Sequence, residues 1–280
     1  MKMAVIGCGL IGGSMALSWK RAGIVDEVIA FGHNPATLQK ALDKGAADTV
    51  TTSMEEAVKD ADIVVSAVPV EAMESVFTEM APFLKSDAVV TDVGSTRQTV
   101  IAAARKGLGD KFHQYAPAHP IAGGEMPGVD YASADLFDEK VVISTPDEGM
   151  DPKVVTFIEE AWRKAGARVQ AMSPLQHDLT FASVSHLPHV LAYALVDMIA
   201  REENAQEKLK MAGAGFRDFT RIASSSPVMW RDICLSNREA LSHELKRYRA
   251  SLDTLQKYID ESDGKALESV FENAVRNRRG

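Results

Sequence analysis

His119 opens the segment His119-Pro-Ile-Ala-Gly-Gly-Glu125, just past a strand-like run and ahead of a turn rich in proline and glycine. An imidazole there suits a general base that takes a proton from a bound ligand, or a histidine that only fixes the turn; position alone leaves both open. Ser95, in Asp92-Val-Gly-Ser95-Thr96, falls at a strand end, where its hydroxyl either orients a ring nitrogen or ligand hydroxyl or caps a helix. His186 and His189, in Ser185-His-Leu-Pro-His189, are spaced to share one helix face. No third and fourth ligand accompany them, so they read as hydrogen-bond donors in a cleft rather than zinc ligands. Arg221 sits among Phe216, Phe219 and Ile222, where a guanidinium needs an anionic partner. A bound carboxylate or the neighbouring Asp218 would serve equally.

Side chains so dispersed need a scaffold, and the first half of the chain provides a nucleotide-binding one. Residues 2–6 (KMAVI) read as a strand running into Gly7-Cys8-Gly9-Leu10-Ile11-Gly12-Gly13, followed by helical composition over 14–22. That is the context a G-x-G-x-x-G fingerprint requires: Gly7 for the tight turn, Gly9 for approach of a pyrophosphate, Gly12 for helix–strand packing. Leu10 and Ile11 lie in that turn beside the cofactor, and the N-terminus of the helix that follows faces the anion. Strands over 27–31, 48–50, 63–67, 88–92 and 141–144, with helices over 35–44 and 54–60 and a late edge strand at 167–170, predict a parallel, doubly wound sheet. Ligands bind beyond the C-terminal ends of such strands, which is where Val68, Pro69, Gly94 and Ser95 fall. The second strand usually ends in an acid that binds the ribose 2′-hydroxyl. Here it ends in Phe31-Gly32-His33-Asn34, with Gly32 at the acidic position: this leans toward NADP, with His33 and Asn34 as candidate neighbours of a 2′-phosphate, while the lack of an arginine in the loop leaves NAD, with His33 a solvated loop residue, as the other reading.

From Ser173 onward strand signals fade. Ser173-Pro174 and Ser226-Pro227 each read as an N-cap followed by proline at the first helical position, opening helices toward Asn204, kinked at Pro188, and toward Ser262, with a last helix after Gly264. The division predicted is residues 1–172 for the dinucleotide-binding domain and 173–280 for a helical domain, α/β plus all-α, with a cleft between. The first of these helices is apolar on more than one face, which predicts homodimerisation through the helical domain, an internal core being the other use of such a face. At 280 residues, 46% hydrophobic and 25% charged, the composition is that of an ordinary globular protein. A formal charge of -8 gives no general attraction for nucleic acid or anionic membrane, and no stretch reads as the run of about 20 apolar residues that a span requires. Two cysteines in separate halves fit the reducing cytoplasm.

In order, and along nearly the whole chain, GCGLIGGS, DVGST, HPIAGGE, SHLPH and GFRDFTRIASSSPVMWRDI resemble the prephenate and arogenate (cyclohexadienyl) dehydrogenases of tyrosine biosynthesis. The resemblance implies a nucleotide-binding domain joined to a helical dimerisation domain, and NAD(P)-dependent oxidative decarboxylation of prephenate or arogenate. It implies that His119 accepts a hydrogen bond from the ring 4-hydroxyl while Ser95 holds that hydroxyl and the imidazole. Arg221 would bind a substrate carboxylate, Glu125 gate the pocket, Asp218 support the arginine, His186 or His189 line the pocket, and Trp230 pack beside them. Activity should fall as His119 protonates below a pKa of about 6.5, shifted by Arg221 and the cofactor. The chain ends at Gly280 with no length for a regulatory domain, so inhibition by tyrosine would act at the active site. The rival readings are a β-hydroxyacid dehydrogenase or imine-type reductase, which resembles the first half only, and a noncatalytic NAD(P)-sensing protein.

Overall fold

The computed structural model describes every residue except Glu125 and Gly280. Eight strands form one sheet in the order β3-β2-β1-β4-β5-β6-β7-β8. They are β1 (Lys2–Ile6), β2 (Glu27–Phe31), β3 (Thr49–Thr51), β4 (Ile63–Ser66), β5 (Val89–Asp92), β6 (Tyr115–Pro120), β7 (Val141–Ser144) and β8 (Arg168–Ala171). The helices α1 (Leu10–Arg21), α2 (Pro35–Asp43), α3 (Met54–Val58), α4 (Met73–Met80), α5 (Gln98–Leu108) and α6 (Pro152–Lys164) belong to this part of the chain. Buried strand residues alternate between two apolar clusters: Met3 and Val5 join Trp19 and Trp162 in one, while Ala4 and Ile6 join Phe77 and Tyr115 in the other. Alternation of side chains along each strand supplies both layers at once.

Two expectations change. The sheet is parallel only through β6: β7 runs antiparallel to β6, and β8 is parallel to β7. His119 lies inside β6, not past it, because its backbone pairs with Ile143 of β7 rather than with β5. A strand that changes neighbour partway along leaves no local periodic signal.

The remaining helices are α7 (Pro174–Phe181), α8 (Leu187–Ala200), α9 (Ala205–Lys210), α10 (Ala214–Thr220), α11 (Pro227–Ser236), α12 (Arg238–Asp260) and α13 (Gly264–Arg279). Ser173 and Ser226 do cap α7 and α11, each accepting from the backbone N–H three residues on. A widened π turn over Ala182–His186 joins α7 to α8. It lies where the Pro188 ring would crowd the carbonyl of Val184, and the extra backbone in that turn absorbs the distortion expected as a kink. The stretch expected to run unbroken to Ser262 is interrupted at Asn237.

Helix Pro174–Ala200 is long and apolar enough to cross a membrane by length and composition, which corrects the expectation that no stretch approaches that size. His177, Asp178 and His186 within it are instead buried in polar contacts with the rest of the chain.

Candidate active site

The glycine turn fits a dinucleotide. Gly7 has a φ of +92°, and a Cβ there would stand 2.8 Å from the Ala67 carbonyl and 3.0 Å from Val68. A Cβ on Gly12 would stand 2.5 Å from the Gly7 oxygen. Gly9 is the opposite case: a Cβ there would meet nothing within 4 Å, so the backbone borders open space at the N-terminus of α1. Leu10 and Ile11 begin that helix, whose first turn carries no acidic residue and whose N-cap lacks a side-chain hydrogen bond. Its backbone donors are left for an anion. At the end of β2, a Cβ on Gly32 would meet nothing closer than Leu38 at 3.4 Å and His33 is exposed against Phe31, whereas Asn34 spends its side-chain oxygen capping α2 at Ala36 and Thr37. Pro69 is exposed ahead of a short 3-10 turn over Val70–Ala72.

Beyond β5 the chain is held by a buried ion pair. Arg97 donates to Asp92 at 3.1 and 2.6 Å, Tyr115 donates to the same carboxylate at 2.6 Å, and the Gly94 N–H at 2.7 Å. A Cβ on Gly94 would come within 2.8 Å of the Arg97 guanidinium, so the ion pair already explains that glycine. Thr96 contacts Ser236 at 2.7 Å and Thr99 donates to the Ser236 carbonyl, tying this loop to α11.

His119 reaches the same end of the sheet. The loop that follows it bears on the glycine turn, since a Cβ on Gly124 would stand 3.3 Å from Leu10. His119 Nδ1 lies 2.7 Å from Nε2 of His177, and His177 Nδ1 lies 2.9 Å from Oδ1 of Asp178. Asp178 also accepts from the backbone N–H groups of Arg97 and Gln98, so one carboxylate holds the start of α5 and one end of this histidine chain. The expected tie between Ser95 and the His119 imidazole is not made through Nδ1, which His177 occupies. Ser95 is half-buried and hydrogen-bonded to no described residue.

Burial drives the pKa of His119 well below the ordinary histidine value, with His177, Arg97 and His186 adding to the fall. The charge acting on it is therefore Arg97, and not Arg221 as expected. Burial likewise lowers His177, against the opposing pull of Asp178. Burial alone would raise Asp178, but the donors His177, Gln98 and Arg97 hold it below the usual carboxylate range.

His189 stacks on Trp230 at 3.6 Å, and the edge of His186 meets the same indole at 6.1 Å. His186 is buried with Nδ1 at 3.1 Å from the Asn237 amide, and burial pushes its pKa down to about 4. His189 donates through Nδ1 to the Ser185 carbonyl. Its pKa is lowered by burial and, to a smaller degree, by the positive charge of Arg221, which places the arginine on this side of the site. Arg221 begins a short 3-10 turn after α10, anchored where the Tyr193 hydroxyl donates to the Ser225 carbonyl. Asp218 is exposed and forms no ion pair with any described residue, so the expected support of Arg221 by Asp218 is absent; on α10 its carboxylate faces solvent instead. The expected gate, Glu125, lies outside the described residues. Sequence reasoning missed His177, Asp178 and Arg97 as parts of the site; the only local signal was a His-Asp pair one turn inside a capped helix.

Residues 15–171 match the family description "prephenate dehydrogenase, nucleotide-binding domain", and residues 173–273 match "prephenate dehydrogenase, dimerization domain". The chain belongs to the prephenate dehydrogenase family. It is 36% identical to the cyclohexadienyl dehydrogenase of Zymomonas mobilis, over 99% of this chain and 94% of that one. It is 34% identical to the prephenate dehydrogenase of Bacillus subtilis, over 98% of this chain and 74% of that one. Its fold matches the crystal structure of prephenate dehydrogenase from A. aeolicus in complex with hydroxyphenyl propionate and NAD+, with a TM-score of 0.92 and 34% identity over 100% and 98% of the two chains. This family member is an enzyme, a nicotinamide-dependent oxidoreductase.

Proposed function

We propose that the chain oxidatively decarboxylates prephenate or arogenate, with His119 as the base, at the junction between residues 1–172 and the helical residues 173–280. The observation that carries this reading is a neutral, half-buried imidazole at the C-terminal edge of the sheet, on a segment whose Gly124 abuts the first residue of α1. Bound nicotinamide would supply the hydride acceptor. His119 takes the proton of the ring 4-hydroxyl as the hydride leaves the carbon that bears it, and loss of the ring carboxylate as carbon dioxide completes an aromatic ring. Aromatisation makes the step effectively irreversible. Ser95 orients the hydroxyl, Arg221 binds a substrate carboxylate in bidentate fashion, and His189 on its Trp230 platform lines the side-chain end with His186 behind it.

Gly7, Gly9, Leu10, Ile11 and Gly12 cradle the pyrophosphate, with Val68, Pro69 and Gly94 flanking the cofactor. The missing acid at Gly32 favours NADP, with His33 beside the 2′-phosphate. A homodimer through the helical residues, inhibition by tyrosine at the same site and a cytoplasmic setting complete the reading.

The test is NADPH or NADH production with prephenate or arogenate against NADP or NAD, repeated with His119→Asn. Turnover that falls by about 10²- to 10⁴-fold in the variant is expected. Folded protein that binds cofactor yet turns over no combination would sink the proposal.

A further inference from the structure

Three groups stand in a line between the two halves of the molecule: His119 on β6, then His177 and Asp178 on α7. An ionised carboxylate can only accept hydrogen bonds. Asp178 already accepts from the N–H groups of Arg97 at 2.8 Å and Gln98 at 3.0 Å, an arrangement that favours the ionised form. The proton between Asp178 and His177 therefore sits on His177 Nδ1. A neutral imidazole protonated on one nitrogen presents a lone pair on the other, so His177 Nε2 is an acceptor. Its partner at 2.7 Å, His119 Nδ1, must then be the donor.

We propose that His177 and Asp178 are positioning residues that fix His119 as the Nδ1–H tautomer, leaving the Nε2 lone pair as the one offered to the substrate hydroxyl. This rests on the reading of His119 as the base. Left to itself, neutral His119 would divide its proton between both nitrogens and spend part of its time with Nε2 blocked. The relay also serves the protonated state. Once Nε2 has taken a proton, Nδ1–H still donates to His177, and the Asp178 carboxylate lies one ring away to stabilise the cation. Nothing has to rotate between the two states, and the stacking of His177 on Phe181 at 4.4 Å restrains the ring that sets the geometry. Because Asp178 also holds the first N–H groups of α5, the helical half docked on the sheet is what makes the base competent.

The experiment combines ¹⁵N spectra of histidine-labelled full-length protein near pH 8 with steady-state kinetics for the wild type, His177→Leu and His177→Gln. The His119 signals are assigned by their loss in His119→Asn. In the wild type Nδ1 of His119 should carry the proton. His177→Leu should move the proton toward Nε2 and lower kcat by about 10- to 100-fold with KM changed less than about twofold, since binding groups are untouched. His177→Gln, whose amide oxygen can accept from Nδ1, should restore the wild-type tautomer and most of kcat. A wild-type His119 protonated on Nε2 overturns the proposal, whether or not His177→Leu folds. So does a folded His177→Leu with undiminished kcat. Failure of the base assignment would look different: His119→Asn would remain active while the wild-type tautomer stayed on Nδ1.

Discussion

Helices α1 and α8 make the sharpest contrast in the molecule. Seven of the twelve residues of α1 are buried, and its apolar side chains end in the tryptophan-lined core beneath the sheet. The richer apolar sequence of α8, LPHVLAYALVDMIA, buries only Leu187 and Ala192 of fourteen. The sheet half therefore satisfies its hydrophobic surface within one chain and keeps an ion pair inside, between Asp92 and Arg97. The helical half leaves apolar surface over and uses its polar residues to grip the sheet. Burial per residue, rather than apolar content, separates a self-sufficient element from one that needs company.

The contrast is broken most severely by removing the charge that the sheet half hides. Arg97 and Asp92 are both fully buried. Arg97→Met would leave the Asp92 carboxylate with the Tyr115 hydroxyl and the Gly94 N–H but no counter-charge. A loss of about 3–5 kcal/mol of unfolding free energy is expected, read from the urea midpoint. A loss under about 1 kcal/mol would mean that water reaches the carboxylate and that the network is a surface feature after all.

Acid should destabilise the fold without any substitution. His186 is held neutral by burial, its pKa down at about 4, and the unfolded chain takes up that proton near 6.5. Below 6.5 the unfolded state binds more protons than the folded one, so stability is full above that pH and falls as pH descends toward 4. At about 1.4 kcal/mol per unit the loss from His186 alone is on the order of 3 kcal/mol by pH 4. His119 and His177 are shifted in the same direction and deepen it. Unfolding measured across this range should show the slope, and His186→Gln should flatten it; an unchanged slope would remove His186 as its source.

How much of this was legible beforehand follows from the range of each interaction. The glycine turn, the strand starts and the Ser-Pro helix caps are local, with donor and acceptor or strand and helix a few residues apart, and their positions came within a residue or two. The π turn was legible only as a disturbance at Pro188, because the form that relief takes depends on how His186 packs against Asn237. The reversal of β7 and the place of His119 inside β6 depend on strand pairing, which composition does not encode. Asp178 bonds residues 80 and 81 positions away, and His177 meets His119 across 58. Contacts at such separations leave no periodic trace, so the relay had to be seen folded. Of the site residues named from the sequence, His119, His186, His189 and Trp230 are among those with visible partners, whereas Asp218 faces solvent and Asn34 is committed to a helix cap.

The mildest change probes the helical half. Val184 and Met198 are 66% and 57% exposed on the helical run that the sheet does not cover. If a second copy covers that surface, a charge placed there must be desolvated on association while the isolated chain loses nothing, since the side chain already faces water. Val184→Glu with Met198→Glu should therefore weaken self-association by at least about tenfold, roughly 1.4 kcal/mol, in sedimentation equilibrium. The urea midpoint at dilutions where both proteins are monomeric should stay within about 0.5 kcal/mol of the wild type. Unaltered association would assign the contact to another exposed surface, such as Phe271 and Val275 of α13, whereas a fall in monomer stability would show that α8 already does its packing within one chain.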